Sequence, residues 1–134
     1  MSKEYAFNVI QDIYNEGERD YVFLENIIGL IAHDEFDEPR VMGAEEIFLS
    51  AMKLVQFLRD SGDFEIFRAS AENGQKISYE ACRGDFSAIE STLRDAAKKI
   101  GQPNFFEYQF VLRKIRKGAV MSMIPNEILE LWKS

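Results

Sequence analysis

Cysteine and histidine are nearly absent from the sequence, because Cys82 and His33 are the only examples of each. A single cysteine excludes an internal disulfide, and a metal site would need ligands of other types. A catalytic pair of Cys82 and His33 would have to be assembled from distant segments, so Cys82 is interpreted as a structural thiol. Glycine-rich nucleotide motifs, phosphate-binding loops and the Gly-x-Ser-x-Gly elbow are also missing. The sequence therefore predicts no enzyme, no cofactor and no metal site, with a small hydrolase as the third-ranked function.

Long apolar runs are missing as well, since no stretch of the sequence could span a bilayer. The first residues do not show the basic-then-apolar plan of a secretory signal. These absences predict a cytoplasmic protein without a membrane partner. The composition, which is 46% hydrophobic and 29% charged, is ordinary for one globular domain, and we expect residues 1–134 to form a single domain.

Positive charge is scarce, because the formal net charge is −7. Nucleic-acid affinity depends largely on basic side chains that release counterions, so nucleic acid is an unfavoured partner. The charge is also uneven: residues 1–67 carry 5 basic and 15 acidic side chains, whereas residues 68–134 carry 11 basic and 8 acidic ones. An acidic face in the N-terminal half is suited to a basic protein partner, although a solvated acidic surface is the simpler interpretation.

The most acidic stretch is the connection from Asp34 to Met42. It places Phe36 among carboxylates, and an aromatic anchor surrounded by charge is how many interfaces concentrate binding energy. His33 lies beside these carboxylates, but no spacing forces the donors to converge on a metal ion. The predicted partner-binding residues are therefore Asp34, Glu35, Phe36, Asp37 and Glu38.

Aromatic residues make up 13% of the chain and include 11 phenylalanines, more than the core of a small domain must hold. Some are therefore expected at the surface, and Phe36 is the favoured one. Phe105, Phe106 and Trp132 are also suspected. For Trp132 the favoured role is to pack the C-terminal helix onto the body, and for Phe106 it is to fill a sheet face.

Three helices are predicted in the N-terminal half from apolar residues at three-and-four spacing. The first runs from about Lys3 to Asn15 and is ended by Gly17. The second runs from about Arg19 to His33. The third, from Ala44 to about Leu58 with Gly62 as its stop, is the most apolar and is expected to be the core helix.

The second half of the chain begins with strand patterning. Residues 64–69 and 76–82 are expected to pair as a hairpin, with Asn73 and Gly74 supplying the positive backbone angles of the turn. Alternation returns from Phe106 to Arg113 and predicts a third strand. A helix through Ile115 stays open as the alternative for residues 105–115.

Two further helices are predicted. Ser87 and Glu90 have the spacing of a capping box, in which each side chain satisfies a backbone donor at a helix start, and Gly101 ends that helix. A short helix runs from Pro125 to Trp132. The fold class is therefore α+β: a helical N-terminal half is followed by a small antiparallel sheet, made of a hairpin and a third strand, with an inserted helix and a C-terminal helix.

The leucine-rich helix and glycine stop of residues 54–66, then residues 79–84, a helix, and a strand ending near Gly118 form one continuous pattern. Over residues 44–119 this pattern resembles small bacterial winged-helix-like proteins. Some of these occur as immunity proteins of toxin systems or as passengers on mobile cassettes. In such relatives we expect a tryptophan shortly before the glycine, where this chain has Ala81, Cys82 and Arg83, so no functional residue is carried over.

Non-enzymatic binding of a basic protein through the acidic face is the function that these features predict first. Electrostatic complementarity would speed the encounter and help to set specificity. In the light of the resemblance, an immunity protein that binds a basic toxin is the sharpest form of this hypothesis. A homodimer is compatible with it.

The alternative is a winged-helix-type transcriptional regulator or nucleic-acid-associated adaptor. The central helix is a poor recognition helix, because Lys53 is its only basic residue from Ala44 to Leu58. We expect the best basic patch to be a solvated flank rather than a duplex-binding surface. That patch consists of Arg113, Lys114, Arg116 and Lys117.

Overall fold

The computed structural model describes residues 3–72, 76–99, 110–118, 121 and 123–133. Within them the elements are α1 (Lys3–Arg19), β1 (Val22–Phe23), α2 (Leu24–Ala32), α3 (Ala44–Asp60), β2 (Phe64–Glu72), β3 (Lys76–Ala81), α4 (Phe86–Ala97), β4 (Phe110–Lys114) and α5 (Asn126–Leu129), which continues as a 3-10 turn over Glu130–Trp132. This combination of helices and strands confirms the predicted mixed α+β class. Strand β1 is an addition that the sequence did not predict.

The strands of the described residues form one antiparallel sheet in the order β1-β4-β2-β3. Val22, Leu112 and Ile66 lie in one row across β1, β4 and β2, and all three are buried. Side chains alternate between the faces of a strand, so Phe23 and Val111 point to the opposite face. Helix α1 packs against β4, and α3 packs against β2. The core therefore lies between these helices and the sheet.

Helix α3 is the core helix that its apolar pattern predicted. Glu45 and Glu46 lie in its first turn, where carboxylates interact favourably with the helix dipole. Gly62 follows the C-cap residue Ser61 with a φ of 81°, which confirms the predicted left-handed stop. The buried side chains of α3 are Phe48, Ala51, Met52, Leu54, Val55 and Leu58.

Gly17 does not end the first helix, because α1 continues to Arg19. The glycine is buried at the contact between α1 and the sheet. A Cβ at this position would lie 2.9 Å from Phe64 Cε1 and 3.1 Å from Lys114 Cβ. The absence of a side chain lets α1 approach β2 and β4 closely, so the residue interpreted as a helix stop is a packing residue.

The second helix is shorter than predicted, because its expected first turn forms a bend and β1. The Asp20 Oδ1 atom accepts a hydrogen bond from the Tyr21 backbone N–H at 2.7 Å, and Val22 and Phe23 then pair with β4. Valine and phenylalanine favour strands as well as fitting an apolar helical stripe. Helical spacing alone could not separate the two structures, and α2 starts only at Leu24.

Helix α4 begins before its predicted start. Asp85 is the N-cap residue and Phe86 the first helical residue, so Ser87 lies inside the first turn and the predicted capping box is wrong. Aspartate is a favoured N-cap residue, although its side chain makes no capping hydrogen bond here. The helix ends at Ala97, and the predicted stop at Gly101 lies outside the described residues.

The hairpin is confirmed, because β2 and β3 pair antiparallel from Phe67 opposite Ala81 to Glu72 opposite Lys76. Its predicted turn residues 73 and 74 lie outside the described part. The third predicted strand is confirmed over Phe110–Lys114, where the helical alternative is wrong. Residues 105–109, which include Phe105 and Phe106, lie outside the described residues.

The C-terminal helix packs onto the body as predicted. Trp132 is 1% exposed, and its ring lies edge-on to Tyr5 with a centroid distance of 6.2 Å. The Trp132 indole N–H donates a hydrogen bond to the Leu30 carbonyl at 2.7 Å. Trp132 is therefore a core residue and is removed from the suspected surface aromatics.

Candidate functional site

The acidic loop, which we define as residues 34–38, forms a tight turn held by backbone hydrogen bonds. His33 and Pro39 form an antiparallel bridge at its base. The Asp34 N–H donates to the Glu38 carbonyl at 2.9 Å, and the Asp37 N–H donates to the Asp34 carbonyl at 3.0 Å. The loop therefore has a defined conformation rather than the open connection that its composition indicates.

The Asp34 side chain fixes the loop further. Its Oδ1 atom accepts hydrogen bonds from the Phe36 N–H at 2.9 Å and from the Glu38 N–H at 3.0 Å. Asp37 has a φ of 60°, a left-handed conformation that aspartate tolerates better than most residues because its short polar side chain can bond locally. Phe36 is thus presented at the tip of a pre-formed turn.

The C-terminus of α2 anchors the base of the loop. The last four carbonyls of a helix lack partners within the helix. Here all four accept hydrogen bonds from outside α2: His33 Nδ1–H donates to Gly29 at 2.8 Å, Trp132 Nε1–H to Leu30 at 2.7 Å, Arg40 Nη1–H to Ile31 at 2.7 Å, and the Arg40 backbone N–H to Ala32 at 2.8 Å. The side chain of Arg40, the basic residue nearest the loop in the sequence, therefore binds the C-terminus of α2.

Four of the five predicted binding residues are exposed, and Asp34 is partly buried. Phe36 is 77% exposed, and Glu35, Asp37 and Glu38 are exposed beside it. None of the three carboxylates forms a salt bridge with a described residue. An exposed aromatic ring among carboxylates that have no cationic partner in the described chain is the feature that sequence analysis predicted.

Tyr5 of α1 lies close enough to the acidic loop for the loop carboxylates to affect its pKa. Its hydroxyl donates a hydrogen bond to the Asp34 carbonyl at 3.3 Å. Burial raises the pKa of Tyr5, and the nearby carboxylates of Asp34, Glu35 and Asp37 raise it further, against a smaller opposing effect of Arg40. The negative potential of the loop therefore extends inward to α1.

A groove of about 610 Å³ lies between α1 and α2 and reaches the acidic loop. We call it the acidic groove, because five carboxylates and no lysine or arginine occur among its described lining residues. Its apolar lining residues are Leu30 and Tyr5, which are partly buried, and Ile13 and Val22, which are buried. The carboxylates are those of Asp12, Glu16, Glu25, Asp34 and Asp37.

Only part of this surface was predicted. Asp34 and Asp37 line the groove, whereas Glu35, Phe36 and Glu38 do not belong to its lining. Sequence analysis missed Asp12, Glu16 and Glu25. The i,i+4 spacing of Asp12 and Glu16 places both on one face of α1, which was a usable signal. Glu16 also accepts a hydrogen bond from Arg19 at 2.9 Å, an exposed pair of small energetic value.

The basic patch of residues 113–117 is largely used inside the protein. Lys114 is 2% exposed and forms a salt bridge with Glu18. The Lys117 ammonium donates to the Gly17 carbonyl at 2.9 Å. The prediction that this patch is a solvated flank is therefore wrong for Lys114, which joins β4 to the end of α1.

Asp63 is the centre of a buried polar network at the same end of the sheet. Its side chain is 3% exposed, and it accepts hydrogen bonds from the Tyr14 hydroxyl at 2.6 Å and the Arg116 Nε–H at 2.7 Å. Burial alone would raise the pKa of Asp63, but these bonds and the charge of Arg116 lower it below its usual value. Burial and the bond to Asp63 raise the pKa of Tyr14 to about 12. The network is satisfied and structural.

Cys82 is half-buried, and burial raises the pKa of its thiol. Among the described residues, no three His, Cys, Asp or Glu side chains are placed to hold a metal ion. Within the same residues, every helix is too short or too polar to cross a bilayer.

Comparisons with known proteins return nothing. No protein-family model matches the chain, and neither a curated protein nor a solved structure matches it.

Proposed function

We propose that this protein is a non-enzymatic binding protein whose acidic loop engages a basic protein partner. The observation that carries the proposal is the presentation of Phe36, which is 77% exposed on a hydrogen-bonded turn. Burying a phenylalanine side chain in a partner contributes about 1.5–3 kcal/mol. Aromatic anchors of this kind dominate the binding energy of many interfaces.

The surrounding charges give the partner its chemistry. Glu35, Asp37 and Glu38 are exposed and form no salt bridge with a described residue, so they can pair with lysine or arginine side chains of a partner. Complementary charges accelerate association and discriminate against acidic proteins. Because the turn is already fixed by Asp34, less conformational entropy is lost on binding.

The sharpest form of the proposal is an immunity protein that binds and inhibits a basic toxin. It is supported by the resemblance of residues 44–119 to small bacterial winged-helix-like proteins. The succession of α3, β2, β3, α4 and β4 has the element order on which that resemblance rests.

The alternative, a winged-helix-type transcriptional regulator or nucleic-acid-associated adaptor, has weaker support. Lys114, Arg116 and Lys117 each donate to groups within the chain, which reduces their availability for phosphates. A gel shift at low salt tests it. Sub-micromolar retention of random duplex DNA would favour the regulator, and no retention is the result that we expect.

The proposed function is tested with two charge variants that remove four carboxylates each. The loop variant carries Asp34→Asn, Glu35→Gln, Asp37→Asn and Glu38→Gln, and the asparagine introduced at position 34 keeps an oxygen that can accept the two backbone hydrogen bonds. The control variant changes exposed carboxylates away from the loop and groove. Its substitutions are Glu46→Gln, Asp60→Asn, Glu80→Gln and Asp95→Asn.

Tagged wild-type and variant proteins, each expressed with their neighbouring reading frames, are used to capture partners from the native host. We expect one basic protein to be retained in equal amount by the wild type and the control variant, and lost by the loop variant. Equal retention by all three proteins would remove the acidic loop from the binding surface. Recovery of the bait alone would remove the support for a toxin partner.

A further inference from the structure

Gly29 is a glycine that the described fold does not require. It lies in the interior of α2, where glycine weakens a helix relative to alanine. Apart from its chain neighbours and the backbone of its own helix, a Cβ built at Gly29 would have no described atom within 4 Å. Gly17 differs, because its Cβ would collide with Phe64. The packing of the described residues therefore explains Gly17 but does not explain Gly29.

The position of Gly29 in the acidic groove suggests that the glycine serves contact with a binding partner. Gly29 lines the acidic groove, between Glu25 and His33 on the same face of α2. A missing side chain in a groove allows another backbone to approach closely. The open space above Gly29 is therefore part of the acidic groove.

The shape and chemistry of the groove define what fits there. Its sides are two helices, and a helix is a common occupant of such a groove, with its apolar residues buried and its polar residues at the rim. Leu30 and Tyr5, which are partly buried, provide the apolar contact surface, whereas Ile13 and Val22 are buried and add little to it. The exposed carboxylates of Asp12 and Glu25 lie on these two helices and match lysine or arginine side chains, whereas Glu16 already pairs with Arg19.

We propose that the acidic groove receives a basic amphipathic helix of the partner, which crosses α2 with its backbone closest to Gly29. This inference rests on the proposed function and names the part of the basic partner that is recognised. Phe36 and the loop carboxylates contact the partner beside the helix, and Asp34 and Asp37 belong to both surfaces.

A second copy of this chain is a poorer occupant of the groove. The chain carries a net charge of −7, and the groove adds five carboxylates to the interface. Two acidic surfaces repel each other. The partner helix must therefore carry the opposite charge, and self-association becomes an outcome that the experiment can detect.

The probe is a synthetic helical peptide of about 18 residues, in which leucine forms one face and lysine the other. A peptide of the same composition in shuffled order is the control for nonspecific attraction. Gly29→Leu places a side chain in the groove, because the Cβ position is open. Gly43→Leu is the matched control, because its Cβ position is also open and it lies outside the groove.

Binding to the full chain is measured by fluorescence anisotropy and by NMR titration of backbone amides. We expect saturable binding of the amphipathic peptide, with the largest shifts at Asn26 and Gly29. Gly29→Leu should weaken binding at least about tenfold, while Gly43→Leu changes it less than about twofold. Equal affinity for wild type and Gly29→Leu, the same affinity for the shuffled peptide, or no saturable binding would each overturn the inference.

The captured partner separates this inference from the proposed function. If the loop variant loses the partner and Gly29→Leu keeps it, the groove proposal fails and the loop proposal stands. If both variants keep the partner, both proposals fail. A concentration-dependent dimer that Gly29→Leu abolishes would replace the partner helix by a second copy and contradict the inference.

Discussion

Alanine placed at Gly17 and at Gly29 should change the free energy of unfolding in opposite directions. Both glycines lie inside helices, α1 and α2, so alanine improves helix propensity at either position. Their surroundings differ. At Gly17 the new Cβ would lie 2.9 Å from Phe64 Cε1 and 3.2 Å from Phe64 Cζ, whereas at Gly29 it meets no described atom within 4 Å apart from its chain neighbours and its own helix backbone.

The structure sets the expected magnitudes. Phe64 is 1% exposed and its ring packs edge-on against Tyr14 at 5.1 Å, so it has little room to move away from a methyl group added at Gly17. Overpacking of a core costs about 1–3 kcal/mol, and the gain in helix propensity offsets up to about 1 kcal/mol of it. Gly17→Ala should therefore destabilise by about 1–2 kcal/mol. Gly29→Ala should stabilise by about 0.5–1 kcal/mol.

Urea unfolding, followed by circular dichroism with wild type, each variant and the double variant, measures both effects. The midpoints should move in opposite directions with an unchanged slope, which shows that stability rather than compactness changed. The double variant should equal the sum of the single variants if the two sites are independent. A stabilising Gly17→Ala would contradict the close approach of α1 to β2, and a destabilising Gly29→Ala would contradict an open groove floor.

Three further predictions concern buried groups. Asp63→Asn should lower the free energy of unfolding by about 1.5–3 kcal/mol at pH 7. The pKa of Asp63 is lowered in the folded protein, so its stabilising effect is present above the ordinary pKa of 3.8 and is lost as the pH falls through the folded pKa. Urea unfolding should therefore show a smaller difference between the variant and the wild type at pH 3 than at pH 7. Trp132→Phe should cost about 1–3 kcal/mol by leaving the Leu30 carbonyl without its donor, and a neutral result in the same assay would contradict this contact. Cys82 should react with a thiol reagent more slowly in the folded than in the urea-unfolded protein at pH 8, because burial raises its pKa; equal rates would contradict its burial.

The elements that the sequence predicted well depend on local chemistry. The apolar stripe of α3, the glycine stop at Gly62 and the alternation of β2 are short-range patterns, and each appears in the structure where it was expected. The exposure of Phe36 was also predictable, because its neighbours along the chain are carboxylates. In each case the residues that determine the structure lie within a few positions of one another.

Several of the errors come from partners that are distant in the sequence, whereas the capping-box error is local, because Asp85 rather than Ser87 is the N-cap residue. The two-residue strand β1 forms only because β4 pairs with it, as in Val22 opposite Leu112. Glycine is needed at position 17 because Phe64 and Lys114 lie close to it, and a helical pattern in the sequence cannot predict these two neighbours. The sequence predicted that Lys114 is a solvated cation, but the fold brings Glu18 beside it and the two form a salt bridge.

In the candidate site, too, the features that depend on neighbouring residues were predictable, and those that depend on distant residues were not. The loop residues 34–38 were visible as a dense acidic segment, but their fixed turn depends on the side chain of Asp34 and on the capped end of α2. The acidic groove needs α1 and α2 side by side. Asp12 and Glu16 could be placed on one helix face from their spacing, but nothing local placed Glu25 opposite them.

The association rate between this protein and the captured basic protein is the most direct test of the acidic-loop proposal. Stopped-flow mixing at low and high salt compares the wild type with the loop variant and the control variant. We expect the wild type and the control variant to associate about tenfold faster at low salt than at high salt, and the loop variant to be slower with a much weaker salt dependence. An association rate that is independent of salt, or equal for the loop variant and the wild type, would contradict recognition through the acidic loop.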